Sequence, residues 1–109
     1  MTDGLSPDIF LQEARDLLSE AESIILDLET NPNDREALNR LFRTMHTIKG
    51  SGAMFGFDAV TEFTHHVETA LDHVREGRIP VAKRLVDLVL SAADHIRRLL
   101  DEPGEPADA

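Results

Sequence analysis

Residues 6–32 read SPDIFLQEARDLLSEAESIILDLETNP, and this stretch predicts a long amphipathic helix. Ser6 provides a hydroxyl N-cap, Pro7 suits the first helical position because its missing N–H would have no partner there, and Asp8 faces the positive end of the helix dipole. An Asn-Pro pair at 31–32 ends the pattern after about six turns. Apolar residues recur every three or four positions between these signals, as on one buried helix face: Ile9, Phe10, Ala14, Leu17, Leu18, Ala21, Ile24, Ile25 and Leu28.

Three further helices are predicted downstream. Asn33 and Glu36 resemble a capping box at the start of the second helix. The third begins with Asp58 as its N-cap and ends at Gly77, and the fourth begins near Pro80. Their apolar stripes are Ala37, Leu38, Leu41, Phe42, Met45 and Ile48, then Val60, Phe63, Val67, Ala70, Leu71 and Val74, then Val81, Leu85, Leu88, Val89, Ala92, Ile96, Leu99 and Leu100.

Short connections make consecutive helices antiparallel neighbours, so the predicted fold is all-α, an up-down four-helix bundle. A chain of 109 residues is the size of one domain. We place that domain at residues 1–102. Residues 103–109 are rich in proline, glycine and acids and lack an apolar period, which is typical of a linker.

Composition excludes several classes of protein. Without cysteine there are no disulfides, thiolate metal sites or cysteine nucleophiles. A net charge of −10 disfavours nucleic acid, which usually needs a patch of lysine and arginine. No apolar run approaches the roughly 20 residues of a membrane span, and the first ten residues lack the features of a signal peptide. A cytoplasmic protein without membrane contact is the expectation.

The charge is unevenly distributed along the chain. Residues 1–36 hold ten acids and two bases, and residues 58–109 hold eleven acids and six bases. Residues 37–57 between them contain Arg40, Arg43 and Lys49 and no acid. One segment is therefore cationic within an anionic protein.

A candidate site lies in this segment. At 100° per residue, His46 shares a helix face with Phe42, Lys49, Gly50 and Ala53. A helical glycine costs roughly 1 kcal/mol relative to alanine, so Gly50 needs a reason such as close access of a partner to the His46 ring. In a second interpretation Gly50 simply caps the helix and residues 50–58 form a loop.

The third helix offers a partner for His46. His65, Glu68 and Asp72 share one face of that helix, and in an antiparallel bundle Glu68 can reach a ring nitrogen of His46. A carboxylate on one nitrogen fixes the tautomer and leaves a lone pair on the other, which makes His46 a candidate nucleophile. Lys49 would offset the charge of a phosphoryl group held there.

Two alternatives remain open. In a purely structural helical interaction module, His46 would be an incidental surface histidine. In a metal-binding bundle, the Glu-x-x-His spacing of Glu62 and His65, together with Glu68, would supply ligands, although the motif occurs once where di-iron bundles use it twice. The remaining histidines lack a comparable neighbourhood and are expected on solvated faces: His66, His73 and His95.

The stretch LFRTMHTIKGSGAMFGF at 41–57 closely resembles the phosphoacceptor motif of histidine phosphotransfer (HPt) domains, in particular the N-terminal domain of CheA chemotaxis histidine kinases. THHVETALD at 64–72 resembles the second motif of that family. The resemblance implies that His46 is phosphorylated on its outer nitrogen and that Glu68 bonds the inner one. It also implies that Lys49 and His65 complete the polar cluster and that Gly50 gives partners access.

The same resemblance implies the partners. The phosphoryl group would come from ATP on a separate CheA-type kinase domain and pass to an aspartate of a CheY- or CheB-like response regulator. Those partners would supply ATP and Mg²⁺, so no bound cofactor and no metal ligand are expected here. Gly50-Ser51-Gly52 is too short for a phosphate loop and follows a helix, so the chain has no ATP site of its own and its standing as an enzyme is open. The domain is expected to be monomeric in isolation, and the fifth helix common in this family is expected to be absent or trimmed.

We expect a small docking surface around His46, about 1,200 Å² or less, as in transient complexes. Its apolar rim is predicted from Phe42, Gly50, Ala53, Phe10 and Leu11. The sequence leaves open the cognate kinase and regulator, the signal, and whether the kinase core lies in the same polypeptide.

Overall fold

A computed structural model describes residues 7–101, and these residues form four α-helices. They are α1 (Pro7–Thr30), α2 (Arg35–Met54), α3 (Asp58–Arg75) and α4 (Lys83–Asp101). Each helix packs against two others: α1 and α3 both contact α2 and α4. The predicted all-α four-helix bundle is confirmed. The expected cap Ser6 and the expected linker at 103–109 lie outside the described residues.

Most residues of the predicted stripes form one core, but two large members of the stripes are exposed. Leu88 is 54% exposed and Ile9 is 53% exposed, although both were expected in a stripe. Leu88 lies at the edge of the buried face of α4, beside a groove between α3 and α4, and Ile9 lies in the first turn of α1. The largest fully buried side chains are Phe10, Leu18, Ile24, Ile25, Leu28, Leu41, Met45, Ile48, Leu71, Ile96, Leu100 and Val60.

The beginnings of three helices differ from the prediction. Asp34, not Asn33, caps α2, and its Oδ1 accepts a hydrogen bond from Ala37 N at 3.0 Å. Asp58 is the first residue of α3 and Phe57 occupies the cap position without a side-chain bond. The α4 helix begins three residues after Pro80, where the carbonyl of Ala82 accepts the first helical bonds.

The end of α2 decides between the two interpretations of Gly50. The helix continues through Gly50 and ends at Met54, so the alternative in which residues 50–58 form a loop is wrong. The turn is made by Gly56 with φ of +81°. Gly56 N donates to Ala53 O and Phe57 N donates to the carbonyl of residue 52, which is a Schellman motif. Gly77, also at φ +81°, ends α3 in the same way, as predicted.

Aromatic side chains join this α2–α3 turn to the first helix. Phe10 stacks on Phe55 with ring centroids 5.5 Å apart, and it packs against Phe57 at 4.8 Å. At the opposite edge of α1, Arg97 of α4 donates two hydrogen bonds to Glu22, at 2.7 and 2.9 Å. These contacts fix α1 against both of its neighbours and leave the outer face of α2 open.

Candidate functional site

The two helical glycines of α2 have different surroundings. A Cβ on Gly52 would lie 2.9 Å from Thr61 Oγ1 and 3.5 Å from Val60 Cγ1, so Gly52 permits the close approach of α2 and α3. A Cβ on Gly50 would meet nothing within 4 Å. The missing side chain at Gly50 therefore serves no packing purpose within the described part of the molecule, and it leaves open space one turn after His46.

Glu68 lies at the centre of the site. It projects from α3 toward α2 and is buried, with 8% of its side chain exposed. Its Oε2 pairs with Nδ1 of His46, and its Oε1 lies 2.6 Å from Nζ of Lys49. Both partners are on α2, His46 four residues before Gly50 and Lys49 immediately before it. One carboxylate of α3 therefore connects an imidazole and an ammonium group of the neighbouring helix.

The side chains of the two residues that contact Glu68 are more exposed to solvent than Glu68 itself. The side chain of Lys49 is 26% exposed and that of His46 is 62% exposed. Burial raises the pKa of Glu68, but the hydrogen bonds from Lys49 and His46 outweigh that effect and hold the pKa of Glu68 below its ordinary value. The carboxylate is thus ionised at neutral pH.

An ionised carboxylate accepts hydrogen bonds only, so Nδ1 of His46 must be the protonated ring nitrogen. The other nitrogen, Nε2, then carries a lone pair on the exposed side of the ring. Such a ring can attack an electrophile from solvent, and the positive charge that develops on the ring is stabilised by Glu68. The arrangement can perform nucleophilic group transfer without a further base.

His65 does not join this cluster through hydrogen bonds. It lies on α3 one turn before Glu68 and is exposed, and within residues 7–101 its ring makes no hydrogen bond to His46, Lys49 or Glu68. Its carbonyl accepts a bond from Thr69 Oγ1. The role of His65 stays a prediction.

The predicted docking residues separate into two groups. Gly50 and Ala53 are exposed, and Phe42 and Leu11 are half-buried, so all four have surface available to a partner. Phe10 is 1% exposed because Phe55 and Phe57 of the α2–α3 turn cover it. The prediction that Phe10 forms part of the exposed rim is therefore wrong.

Two contacts near His46 escaped the sequence reasoning. Phe42 stacks on the His46 ring, and the guanidinium of Arg75 lies over the Phe42 ring, 3.9 Å from its centroid. The spacing of four residues between Phe42 and His46 on a helix was a usable signal for the first contact. Nothing in the sequence indicated the second, because Arg75 lies at the far end of another helix.

Two of the histidines expected on solvated faces, His73 and His95, are half-buried. His95 packs edge-on against Phe63, with ring centroids 4.5 Å apart, and is half-buried. With His66 and Arg98 it borders an apolar groove of about 410 Å³ between α3 and α4. His95 is thus a packed residue and not part of a solvated face.

The metal-binding alternative finds no ligand set. Within residues 7–101, no three or more His, Asp or Glu side chains are grouped so that they could hold a metal ion.

None of the four described helices combines the length and apolar character needed to cross a bilayer.

Comparison with known proteins identifies the family of this chain. A family model described as the Hpt domain matches residues 8–102. The chemotaxis protein CheA of Borreliella burgdorferi is 38% identical over 92 residues, and the sensor histidine kinase CheAY of Helicobacter pylori is 37% identical over 91 residues. Each alignment covers 84% of this chain and 11% of the relative, so the chain spans about a ninth of the length of these relatives.

Solved structures show the same fold. The CheA phosphotransferase domain from Thermotoga maritima matches with a TM-score of 0.82 and 32% identity over 88% of this chain and 91% of that one. The phosphorylated P1 domain of CheA3 in complex with CheY6 from R. sphaeroides matches with a TM-score of 0.79 and 26% identity over 88% of this chain and 75% of that one. The chain therefore belongs to the Hpt domain family and is of the kind found in CheA chemotaxis proteins.

Proposed function

We propose that this chain is a phosphocarrier in which His46 accepts a phosphoryl group from ATP held by a CheA-type kinase domain and passes it to an aspartate of a CheY- or CheB-like response regulator. The observation that carries the proposal is the pairing of a 62% exposed His46 with an 8% exposed Glu68. The nucleophile is accessible while the group that activates it is shielded from water, which strengthens their interaction.

In the forward step, the lone pair on His46 Nε2 attacks the γ-phosphorus of ATP. The bond from that phosphorus to the β–γ bridging oxygen breaks, and ADP leaves with the electron pair. The ring becomes positively charged, and Glu68, bonded to the Nδ1 proton, stabilises it. Mg²⁺ would be held by the kinase and regulator domains.

In the second step, an aspartate oxygen of the regulator attacks the same phosphorus from the opposite side and the N–P bond breaks. The ring returns to the neutral form with the proton on Nδ1, and Glu68 is again its partner. The site is then ready for another cycle. Open space at Gly50 would admit the partner's surface close to Nε2.

The Hpt match and the structural likeness to the phosphorylated P1 domain of CheA3 support this proposal. The structural interaction module is the second candidate. It explains the core equally well, but it gives no reason for a helical glycine with open space beside His46.

The test is phosphorylation of the chain by a CheA kinase core with labelled ATP. Wild type, His46→Gln, Glu68→Gln and the control His66→Gln, an exposed histidine on α3, are compared. We expect acid-labile label on wild type and His66→Gln and none on His46→Gln. Loss of the charge-assisted bond to Glu68, about 1.5 to 3 kcal/mol, should slow labelling roughly 10- to 100-fold in Glu68→Gln.

Addition of a CheY-like regulator to the labelled chain tests the second step. The label should move to the regulator. Equal labelling of His46→Gln and wild type, or no label with any of a panel of kinase cores, would leave the interaction module as the better description.

A further inference from the structure

Phe42 lies one helical turn before His46, and the two rings are nearly parallel. Their planes differ by 11° and their centroids are 6.4 Å apart, which is an offset stacked arrangement within the range that aromatic pairs prefer. Since 62% of the His46 side chain is exposed, few other groups restrict its ring. The bond to Glu68 holds Nδ1, but that bond alone does not fix the plane of the ring, and a tilt that moves the N–H away from the carboxylate weakens the bond.

Phe42 is itself held from the neighbouring helix. The guanidinium of Arg75 lies over its ring, with Cζ 3.9 Å from the centroid, the geometry of a cation–π interaction. Arg75 Nη2 donates to Asp72 Oδ1 at 2.9 Å, and Nη1 donates to Asn39 Oδ1 at 3.4 Å. Arg35 donates to the carbonyl of Arg75 at 3.2 Å. The guanidinium is thus anchored on both α2 and α3 at the edge of the site.

These contacts form a chain from the end of α3 to the nucleophile. We infer that Phe42 and Arg75 are positioning residues for the transfer reaction: Arg75 holds the ring of Phe42, and that ring sets the plane of the His46 imidazole so that Nε2 faces the incoming phosphorus. Neither residue exchanges protons or electrons with the substrate. The inference rests on the proposed function of His46.

A purely structural role predicts something different. If Phe42 and Arg75 only join α2 to α3, their replacement lowers the melting temperature but leaves the tautomer and reactivity of His46 unchanged in the folded molecules. A positioning role requires that the His46–Glu68 bond be made less often when the ring can tilt. The fraction of His46 with the proton on Nε2 should then rise.

The experiment measures both properties in the whole 109-residue chain. The variants are Phe42→Leu, which removes the aromatic face, Phe42→Tyr, which keeps it, Arg75→Gln, which removes the cation, and Arg75→Lys, which keeps it. Arg78→Gln is the control, because Arg78 lies near the same helix end and its guanidinium pairs with Glu76. Ring ¹⁵N shifts of His46 report the tautomer, and initial rates with a CheA kinase core report the reactivity.

We expect the rate to fall about two- to fivefold in Phe42→Leu and Arg75→Gln, the size of one aromatic or cation–π contact, with a larger Nε2–H fraction in both. Phe42→Tyr and Arg75→Lys should recover most of the rate, and Arg78→Gln should match wild type. A third of the Arg75 side chain is exposed and it lies outside the core, so its variants remain informative if Phe42→Leu unfolds.

Wild-type rates and tautomer ratios in folded Arg75→Gln and Phe42→Leu would overturn the positioning role while leaving His46 as the acceptor. Absence of label on His46 in the wild-type chain would overturn the proposed function itself. The two failures are therefore distinguishable in one experiment.

Discussion

Nζ of Lys49 lies 2.6 Å from Oε1 of Glu68, on the carboxylate oxygen that the histidine does not use. The ammonium group was expected to offset the charge of a phosphoryl group, yet in the resting molecule it neutralises the carboxylate. The Lys49 ammonium therefore acts on His46 indirectly, because it keeps the buried Glu68 carboxylate ionised.

This pairing predicts the behaviour of Lys49→Gln. Removal of the ammonium leaves a buried carboxylate with one partner, so the pKa of Glu68 should rise and the histidine should be oriented less firmly. We expect phosphorylation to slow about tenfold, as for loss of one hydrogen bond to a charged group. Initial rates between pH 5 and 8 check this. As the pH is lowered, the rate of the variant should begin to drop at a higher pH than the rate of wild type. Identical profiles would show that Lys49 does not act through Glu68.

Acid should destabilise the fold through the same carboxylate. The pKa of Glu68 is lowered in the folded state, so the unfolded chain binds the proton more readily. Its contribution to stability is complete above the ordinary pKa near 4.5 and is lost as the pH falls through the lower folded value. The pKa of Glu22 is also lowered, chiefly by its hydrogen bond from Arg97, and acts in the same direction.

Urea unfolding at several pH values from 3 to 7 measures this effect. Glu68→Gln and Glu22→Gln should each lose less free energy of unfolding on acidification than wild type does. Glu20→Gln, at an exposed position of α1, is the control. A wild-type slope in Glu68→Gln would mean that its ion pair with Lys49 contributes nothing to folding.

The two helical glycines should respond oppositely to alanine. Gly50→Ala meets no atom within 4 Å and should stabilise the chain by about 1 kcal/mol through helix propensity. Gly52→Ala brings a methyl group to 2.9 Å from Thr61 Oγ1, which should cancel or reverse that gain. Chemical denaturation measures both.

Gly50→Leu should keep the fold but block transfer to a regulator, and normal transfer in that variant would contradict the access argument.

The cationic face of α2 predicts salt-dependent association. Arg40 and Arg43 are exposed, and neither guanidinium forms an ion pair with any side chain in the part of the chain that the structure describes. A partner with an acceptor carboxylate should be attracted to this face, so Arg43→Glu should slow association about tenfold at low ionic strength and less at 0.5 M salt. Arg84→Glu on α4 is the matched control. Stopped-flow transfer kinetics would reject the idea if both variants behave alike.

Sequence patterns predicted the elements that have local causes. Pro7 and the Asn-Pro pair at 31–32 bound α1 correctly because both act on the backbone itself. The cap of α2 was missed by one residue since Asn33 and Asp34 are both good caps, and only the backbone geometry selects Asp34. The His46–Glu68 pair was predictable because antiparallel packing places the middles of α2 and α3 side by side.

Contacts that depend on side-chain direction were not predictable. Phe10 carries an apolar residue's preference for burial, but the two phenylalanines that cover it belong to a turn 45 residues away in sequence. Arg75 reaches Phe42 from the neighbouring helix, and no spacing rule connects the two residues. Helical periodicity gives the face of a residue but not the rotamer that decides its neighbour.

Gly52 has a wider consequence, because the acceptor and its carboxylate stand on different helices. The separation of α2 and α3 near the site is set where the backbone at Gly52 meets Thr61. Any substitution that widens this gap would lengthen the reach from Glu68 to His46 without touching either residue. The distance between α2 and α3 that closes the core therefore also sets the distance between Glu68 and His46. A substitution that only disturbs packing at Gly52 can thus slow phosphorylation.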